Sequence, residues 1–177
     1  AREFVIGVES IAETLDPHDS MAGQGFDYRG HVYDSIVWLD GTGNPKPGLV
    51  TEWKNIDPNT WELTVRSDVK FHNGAPLTAE DIAFSLWRTC NVPGTDNPMS
   101  LVGNLVSERI VVSPTKLILK TVTPQPILMR YLGMVPVVSK AVGEKYMQVN
   151  DYNTGVASIG TGPYKLKEFV TGQRIVL

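Results

Sequence analysis

The sequence of 177 residues lacks several features that would indicate particular classes of protein. It contains one cysteine, Cys90, so it cannot form an internal disulfide. No apolar run approaches the ~18 residues that a membrane-spanning helix needs. The net charge is −3 and there is no basic stripe, whereas nucleic-acid-binding domains usually carry one. These absences argue against a disulfide scaffold, a membrane span and a nucleic-acid partner.

Motifs for catalysis and for metal binding are missing as well. His18, His31 and His72 are spread along the chain without the spacing of metal ligands, so neither a metal site nor another cofactor is predicted. Two Gly-Thr-Gly pieces, at Gly41 and Gly160, complete neither a phosphate loop nor a dinucleotide fingerprint, and we interpret both as turns. No Gly-x-Ser-x-Gly elbow is present. The sequence therefore predicts no catalytic residues and no enzymatic activity.

The most informative stretch begins at Trp61. Alternation of apolar and polar residues over 61–66 has the two-residue period of a half-buried strand. Asn73-Gly74 predicts a tight turn, because both residues tolerate a positive φ. Thr78 predicts the N-cap of a helix, with Asp81 three residues later reaching back in a capping box. This segment is predicted to fold as a strand, a turn and a capped helix.

Helical spacing predicts which residues of that helix are buried. Ala83, Leu86, Trp87 and Cys90 fall at i, i+3, i+4 and i+7, which indicates a single apolar face. Core packing is therefore the expected role of Trp87.

Patterns elsewhere predict a mixed α/β chain. The first part is predicted to hold a buried strand over 4–9, a long loop over 11–28 and a helix over 31–39. Later segments are predicted to form a hairpin over 110–119, helices over 127–132 and 139–146, and strands over 164–170 and 174–177.

Four blocks of sequence stand in a fixed order along the chain. They are Leu15-Asp16-Pro17-His18, residues 47–53, residues 61–85 with Phe71-His72-Asn73-Gly74 at their centre, and residues 159–166 with Gly160-Thr161-Gly162-Pro163-Tyr164. Together these blocks resemble the peptide and nickel class of solute-binding proteins, the extracytoplasmic receptors of ABC importers. The resemblance spans nearly the whole chain, although such receptors continue well beyond this length.

The resemblance implies an α/β fold of the type II periplasmic-binding-protein kind. Residues 1–35 and 158–177 would form the core of the first lobe, and residues 36–157 would be a small subdomain inserted into the same lobe. The second lobe and the hinge would belong to a part of a longer polypeptide that is absent here. The chain ends within an apolar strand, so its edge is expected to invite pairing with a second copy or with another chain.

The same resemblance implies a receptor that holds a peptide or peptide-like solute in a cleft between lobes and delivers it to a membrane permease. A periplasmic or other extracytoplasmic location follows from the resemblance alone, because the first residues carry no apolar segment of a signal peptide. The alternatives are a receptor for chelated nickel, an opine or an oligosaccharide, and a sensory or chaperone-like module on the same fold.

Candidate ligand contacts follow from the positions of the family's binding loops. The loop after the first strand contributes Asp19, Ser20, Met21, Ala22 and Gly23. Oligopeptide receptors hold the peptide's amino terminus with an acidic residue at the position of Met21, and Gly23 is the next pocket-facing position. Because methionine cannot pair with an ammonium group, Asp19 is the alternative anchor.

A second candidate contact lies in the loop after the capped helix. Met99 occupies the place of the tyrosine in a Pro-Tyr pair of the resembled receptors. The alternative interpretation is that Met99 packs inside the lobe.

Overall fold

The computed structural model describes Val5, Gly7, residues 13–19 and residues 23–177, with residues 23–27 described by their backbone alone. The helices are α1 (Gly23–Val32), α2 (Ala79–Arg88), α3 (Ser100–Gly103), α4 (Leu128–Leu132), α5 (Lys140–Gly143) and α6 (Val149–Asn153). The strands are β1 (Trp38–Leu39), β2 (Pro45–Lys46), β3 (Val50–Asp57), β4 (Thr60–Val65), β5 (Val106–Ser113), β6 (Lys116–Thr121), β7 (Glu168–Val170) and β8 (Arg174–Val176). None of the helices in this described part has the length and apolar character to cross a membrane.

A four-stranded antiparallel sheet in the order β3-β4-β6-β5 forms the largest sheet. Along β4, Trp61, Leu63 and Val65 are buried and alternate with partly exposed residues. Leu117 lies opposite Leu63 and Leu119 opposite Trp61 on β6, so the four side chains form one apolar layer. The predictions of a strand over 61–66 and of a hairpin over 110–119 are confirmed.

The turn and the helix cap after β4 also match the predictions. Gly74 has a φ of +86°, which glycine adopts without strain. Helix α2 begins after Thr78, and the Asp81 carboxylate accepts hydrogen bonds from the Thr78 backbone N–H at 2.9 Å and from its hydroxyl at 3.0 Å. A capping box therefore fixes the start of α2.

The predicted buried face of α2 is wrong in part. Trp87 is 41% exposed, whereas Arg88, one residue further on, is fully buried. Ser85 is also buried, and its hydroxyl accepts a hydrogen bond from the Val138 N–H at 3.0 Å. The helix is covered on two sides, so polar side chains on the second side are buried with partners that the local sequence does not show.

Two apolar clusters lie on the two sides of α2. The sheet cluster joins β4, β6, α2 and α4 through side chains such as Leu63, Ile82, Leu86, Leu117 and Leu128. The loop cluster lies on the other side and contains Leu15, Tyr28, Val32, Tyr33, Phe84, Val138, Tyr152 and Ala157, with Phe169 and Ile175 of the β7–β8 hairpin against it. Helix α2 is the element shared by both, because Phe84 points into the loop cluster.

Two predictions for the first part of the chain are wrong. Helix α1 occupies residues 23–32, most of which were predicted to be a loop. The helix predicted over 31–39 is not formed, because residues 31–32 end α1 and Trp38–Leu39 form β1. The glycine-rich sequence of α1 has no apolar periodicity, so its helix depends on tertiary contacts. The Val32 and His31 carbonyls at its end accept hydrogen bonds from the N–H groups of Gly162 and Tyr164, both at 3.0 Å.

That contact explains the glycines of residues 160–164. A Cβ added to Gly160 would overlap the Val32 carbonyl, so the close approach of the two backbones requires glycine there.

The remaining predictions are met to different degrees. The helices predicted over 127–132 and 139–146 are present as α4 and as the shorter α5, and the last two strands are present as β7 and β8. The strand predicted over 164–170 begins only at Glu168. The strand predicted over 4–9 lies outside the described residues except for Val5 and Gly7, which are exposed.

Candidate functional site

Residues 13–19, here called the site loop, lead to the candidate ligand contacts and have no regular secondary structure. The loop is attached first to α6. The Asn153 side-chain oxygen accepts hydrogen bonds from the Leu15 N–H at 2.7 Å and from the Thr14 hydroxyl at 3.3 Å. Leu15 is fully buried in the loop cluster. The start of the loop is thus fixed by one apolar side chain and one amide.

A buried ion pair holds the middle of the site loop against α2. Arg88 donates from its two terminal nitrogens to the two oxygens of Asp16, at 2.8 and 2.6 Å, and both side chains have no exposed surface. A third bond from Arg88 reaches the Met147 carbonyl at 3.0 Å, and its guanidinium lies 4.4 Å from the centre of the Tyr152 ring. Burial disfavours the charge on Arg88, but the bonds to Asp16 and the nearby Tyr152 outweigh burial and raise its pKa.

His18 completes this arrangement as a neutral imidazole. Its Nε2 lies 2.9 Å from the Pro136 carbonyl, which can only accept, and its Nδ1 lies 3.2 Å from Arg88 Nη1, which can only donate. The proton therefore belongs on Nε2. Burial and the charge of Arg88 lower the pKa of His18 from 6.5 to about 4.

Helix α1 contributes a second buried arginine beneath the site loop. Arg29 donates to the Pro17 carbonyl at 2.9 Å and contacts the Met99 sulfur at 3.9 Å. Burial lowers the pKa of Arg29 to about 10. The site loop is thus held by charged side chains from both α1 and α2, with Arg29 bonded to its backbone and Arg88 to its side chains.

Asp19 is the last residue of the site loop, and its carboxylate is partly exposed. Its N–H donates to the Asp16 carbonyl at 3.3 Å, and its carboxylate lies beside Thr95, whose hydroxyl donates to the Val92 carbonyl at 3.2 Å. Burial and the neighbouring Asp16 charge raise the pKa of Asp19. The loop that holds Thr95 is itself fixed by Asn97, which has a φ of +48° and accepts a hydrogen bond from the Val92 N–H at 2.6 Å. Asp19 therefore lies where two ordered loops meet.

The structure describes three of the six predicted ligand contacts. Asp19 lies at the meeting point of the two loops, Gly23 begins α1, and Met99 is fully buried in the sheet cluster. The buried position makes Met99 a packing residue that also contacts Arg29, and it does not favour the predicted contact with a solute. The other three candidates, Ser20, Met21 and Ala22, lie outside the described residues.

The residues that organise the site loop were not predicted. Asp16 was noticed only as part of a sequence block, His18 only there and as a rejected metal ligand, and the burial of Arg88 was missed. One signal was available. Arg88 falls at i+7 from Asp81 and i+4 from Phe84, so it lies on the same helix face as a capping residue and a large apolar side chain.

No cluster of three or more histidine, cysteine or acidic side chains suited to a metal ion occurs among the residues that the structure describes.

Comparison with known proteins identifies the family. The sequence profile of "Bacterial extracellular solute-binding proteins, family 5 Middle" matches residues 44–177. The chain belongs to this family. It is 27% identical over 191 residues to the periplasmic oligopeptide-binding protein OppA of Escherichia coli strain K12, a match that covers 95% of this chain and 34% of that protein. The chain spans about a third of the length of the curated relatives it matches.

Solved structures of family 5 proteins share the fold. OppA of Burkholderia pseudomallei superposes with a TM-score of 0.80 at 22% identity, over 94% of this chain and 35% of that one. The ABC transporter-associated periplasmic binding protein DppA of Helicobacter pylori, in complex with the peptide STSA, gives a TM-score of 0.79 at 21% identity, over 94% of this chain and 36% of that one. These matches confirm the predicted family and the predicted α/β fold of type II periplasmic binding proteins, of which the chain covers a lobe fragment.

Proposed function

We propose that this chain is the first-lobe part of a receptor that binds a peptide or peptide-like solute for an ABC importer. The observation that carries the proposal is the conformation of the site loop. Buried side chains hold this loop in place, so that Asp19 lies beside the loop that contains Thr95. A preorganised, partly exposed carboxylate is suited to the ammonium group of a peptide. The names of the relatives, which include oligopeptide-binding proteins, support the same solute class.

The lobe organisation belongs to the same proposal. Residues 1–35 and 158–177 would form the lobe core, and residues 36–157 an inserted subdomain that shares α2 between the two clusters. A second lobe supplied by a longer polypeptide would close over the solute, and closure would select the liganded state for the membrane permease.

The cellular setting follows from the relatives. Those with printed locations are periplasmic, and we propose an extracytoplasmic location and a binding role without chemistry on the solute. The receptor would release its solute unchanged to the permease.

Calorimetric titration of the full-length receptor with a mixed pool of di- to pentapeptides tests the proposal. We expect saturable binding at micromolar concentration or below, with release of bound peptide that mass spectrometry identifies as unmodified. Parallel titrations with a nickel–histidine chelate, an opine and an oligosaccharide cover the alternative solutes. Binding of one of these in place of peptides would overturn the peptide assignment.

Residues 1–177 alone should bind the same pool weakly or not at all. A small solute held by two lobes loses most of its contact with water, whereas a single lobe leaves one side of it open. Micromolar binding by monomeric 1–177 would contradict the two-lobe receptor.

The mass of the 1–177 polypeptide in solution tests the predicted self-association. Strands β7 and β8 form a two-stranded sheet with each other, and this sheet is the proposed pairing edge. Sedimentation should show a concentration-dependent dimer. A monomer at all concentrations would remove this part of the proposal.

A further inference from the structure

We infer that Arg88 is a positioning residue for solute binding, because its paired bonds to Asp16 fix the site loop that presents Asp19. The inference rests on the proposed function and adds to it a residue that touches no solute. Its basis is the set of hydrogen bonds that hold the site loop in place.

The site loop depends on side chains from other elements for its conformation. Within the described loop, the Leu15 N–H, the Asp16 carboxylate, the Pro17 carbonyl and the His18 ring all bond to groups more than ten residues away in the chain. No strand or helix pairs with its backbone over residues 13–19. The loop conformation is therefore set by these side-chain bonds.

Arg88 has the largest share of these bonds. Its guanidinium bonds to both Asp16 oxygens and to His18 Nδ1 on the loop, and to the Met147 carbonyl beyond it. The guanidinium also packs over the Tyr152 ring, 4.4 Å from its centre, and this contact limits how the fork that faces Asp16 can turn. A planar fork with four fixed acceptors defines the position of the loop more narrowly than a single charge would.

Asp16 is hydrogen-bonded to both His18 and Asp19, so its position determines that of Asp19. Its carboxylate also accepts the His18 N–H at 2.9 Å, and its carbonyl accepts the Asp19 N–H at 3.3 Å. The three residues therefore form one hydrogen-bonded turn. A shift of the Asp16 carboxylate moves Asp19, which carries the proposed solute contact.

The lysine variant Arg88→Lys tests the inference in the full-length receptor. Lysine keeps the positive charge but cannot donate to both Asp16 oxygens in one plane. Arg109→Lys is the control, because Arg109 is a partly buried arginine that donates to the Gly103 carbonyl at 3.1 Å, away from the site loop. Asp16→Asn is a second variant that keeps the shape of the site and weakens the same bonds.

Two measurements are made at a temperature where circular dichroism shows every variant fully folded. The first is the affinity for the di- to pentapeptide pool, and the second is amide hydrogen exchange over residues 13–19 and over β4 and β6. We expect Arg88→Lys and Asp16→Asn to weaken binding by about 10-fold or more. Exchange should accelerate more in the site loop than in β4 and β6, where it should change only by as much as the global stability falls. Arg109→Lys should match the wild type in both measurements.

Each remaining outcome decides the matter. Affinity within about two-fold of the wild type in both variants would overturn the positioning role, even if stability falls. Faster exchange spread evenly over loop and sheet would overturn it as well, because the network would then support the whole lobe. If the wild type binds no peptide, the proposed function fails, and a larger acceleration of exchange in the loop than in β4 and β6 still decides whether Arg88 positions the loop.

Discussion

The sheet cluster and the loop cluster are built on opposite sides of the same helix by different physical means. The sheet cluster consists of apolar side chains from alternate positions along β4 and β6 and from one side of α2. The loop cluster surrounds a fully buried arginine, aspartate and histidine with aromatic and aliphatic side chains. Apolar packing tolerates small shifts, whereas a buried ion pair is stable only in one geometry. The comparison indicates that the lobe uses the first cluster as its platform and the second to fix a loop.

Loss of Arg88 should have the largest effect on stability. Arg88→Met leaves the Asp16 carboxylate buried without a cation, and we expect the free energy of unfolding to fall by about 4 kcal/mol. The double variant Asp16→Leu with Arg88→Met removes both charges and should recover much of that loss. Denaturant melts of the three proteins measure the difference. A single variant that loses less than about 1 kcal/mol would show that the pair is not buried in solution.

Truncation in the sheet cluster should cost somewhat less and should not depend on pH. Leu63→Ala removes a fully buried side chain opposite Leu117, and we expect a loss of about 3 kcal/mol. Leu101→Ala is the matched control, because Leu101 is 61% exposed and should change stability little. Melts at neutral and mildly acidic pH should give the same difference for Leu63→Ala. If the stability loss caused by Leu63→Ala were larger in acid, the sheet cluster would be coupled energetically to the titrating groups of the loop cluster.

Acid should weaken the loop cluster through His18. The imidazole has a pKa of 6.5 when unfolded and about 4 when buried, so the unfolded chain binds more protons between these values. The His18 contribution is therefore complete above pH 6.5 and decreases as the pH falls toward 4, by about 2 kcal/mol between pH 7.5 and pH 5.

Two histidine variants separate this contribution from the rest of the acid response. His18→Gln keeps one donor and one acceptor without a titrating ring, and it should flatten the fall in stability over this range. His31→Gln, at an exposed histidine, should leave the fall unchanged. Equal slopes for wild type and His18→Gln would contradict the neutral, buried state of His18.

The same contrast explains how much the sequence could predict. The alternation in β4, the hairpin of β5 and β6, the turn at Gly74 and the cap at Thr78 are local patterns, and each appears in the structure where it was predicted. The bond between Asp16 and Arg88 joins residues 72 positions apart, and although helical spacing could indicate that Arg88 is buried, no pattern in either neighbourhood indicates its partner. The misplacement of Trp87 in the core has a similar cause. Helical spacing alone assumes that apolar side chains are buried and polar ones face water, whereas here Trp87 is exposed and Arg88 is buried.

The candidate site was predicted only in part because its order comes from the loop cluster. Asp19 was identified from its place in a family block, and its position beside Thr95 depends on bonds from distant elements. Helix α1 was missed because its glycine-rich sequence becomes helical through contacts with residues 160–164.

The smallest predicted effect concerns the cap at the junction of the two clusters. Asp81 accepts hydrogen bonds from the Thr78 N–H and hydroxyl and, through its other oxygen, from the Lys140 N–H at 2.8 Å. Thr78→Ala removes the hydroxyl and leaves both backbone bonds, so we expect a loss of about 1 kcal/mol. Asp81→Ala removes the acceptor for both N–H groups and should cost more.

A double-mutant cycle separates the hydroxyl from the backbone bonds. The Thr78 hydroxyl donates to the Asp81 carboxylate, and this part of its contribution is already lost in Asp81→Ala. Thr78→Ala should therefore cost less in that background than in the wild type. Denaturant melts of the four proteins give the coupling energy. Additive losses would mean that the hydroxyl stabilises the start of α2 without the Asp81 carboxylate, through the backbone N–H of the capping box. In that case the cap would belong to α2 alone, and only the bond from Lys140 would connect it to α5 and the loop cluster.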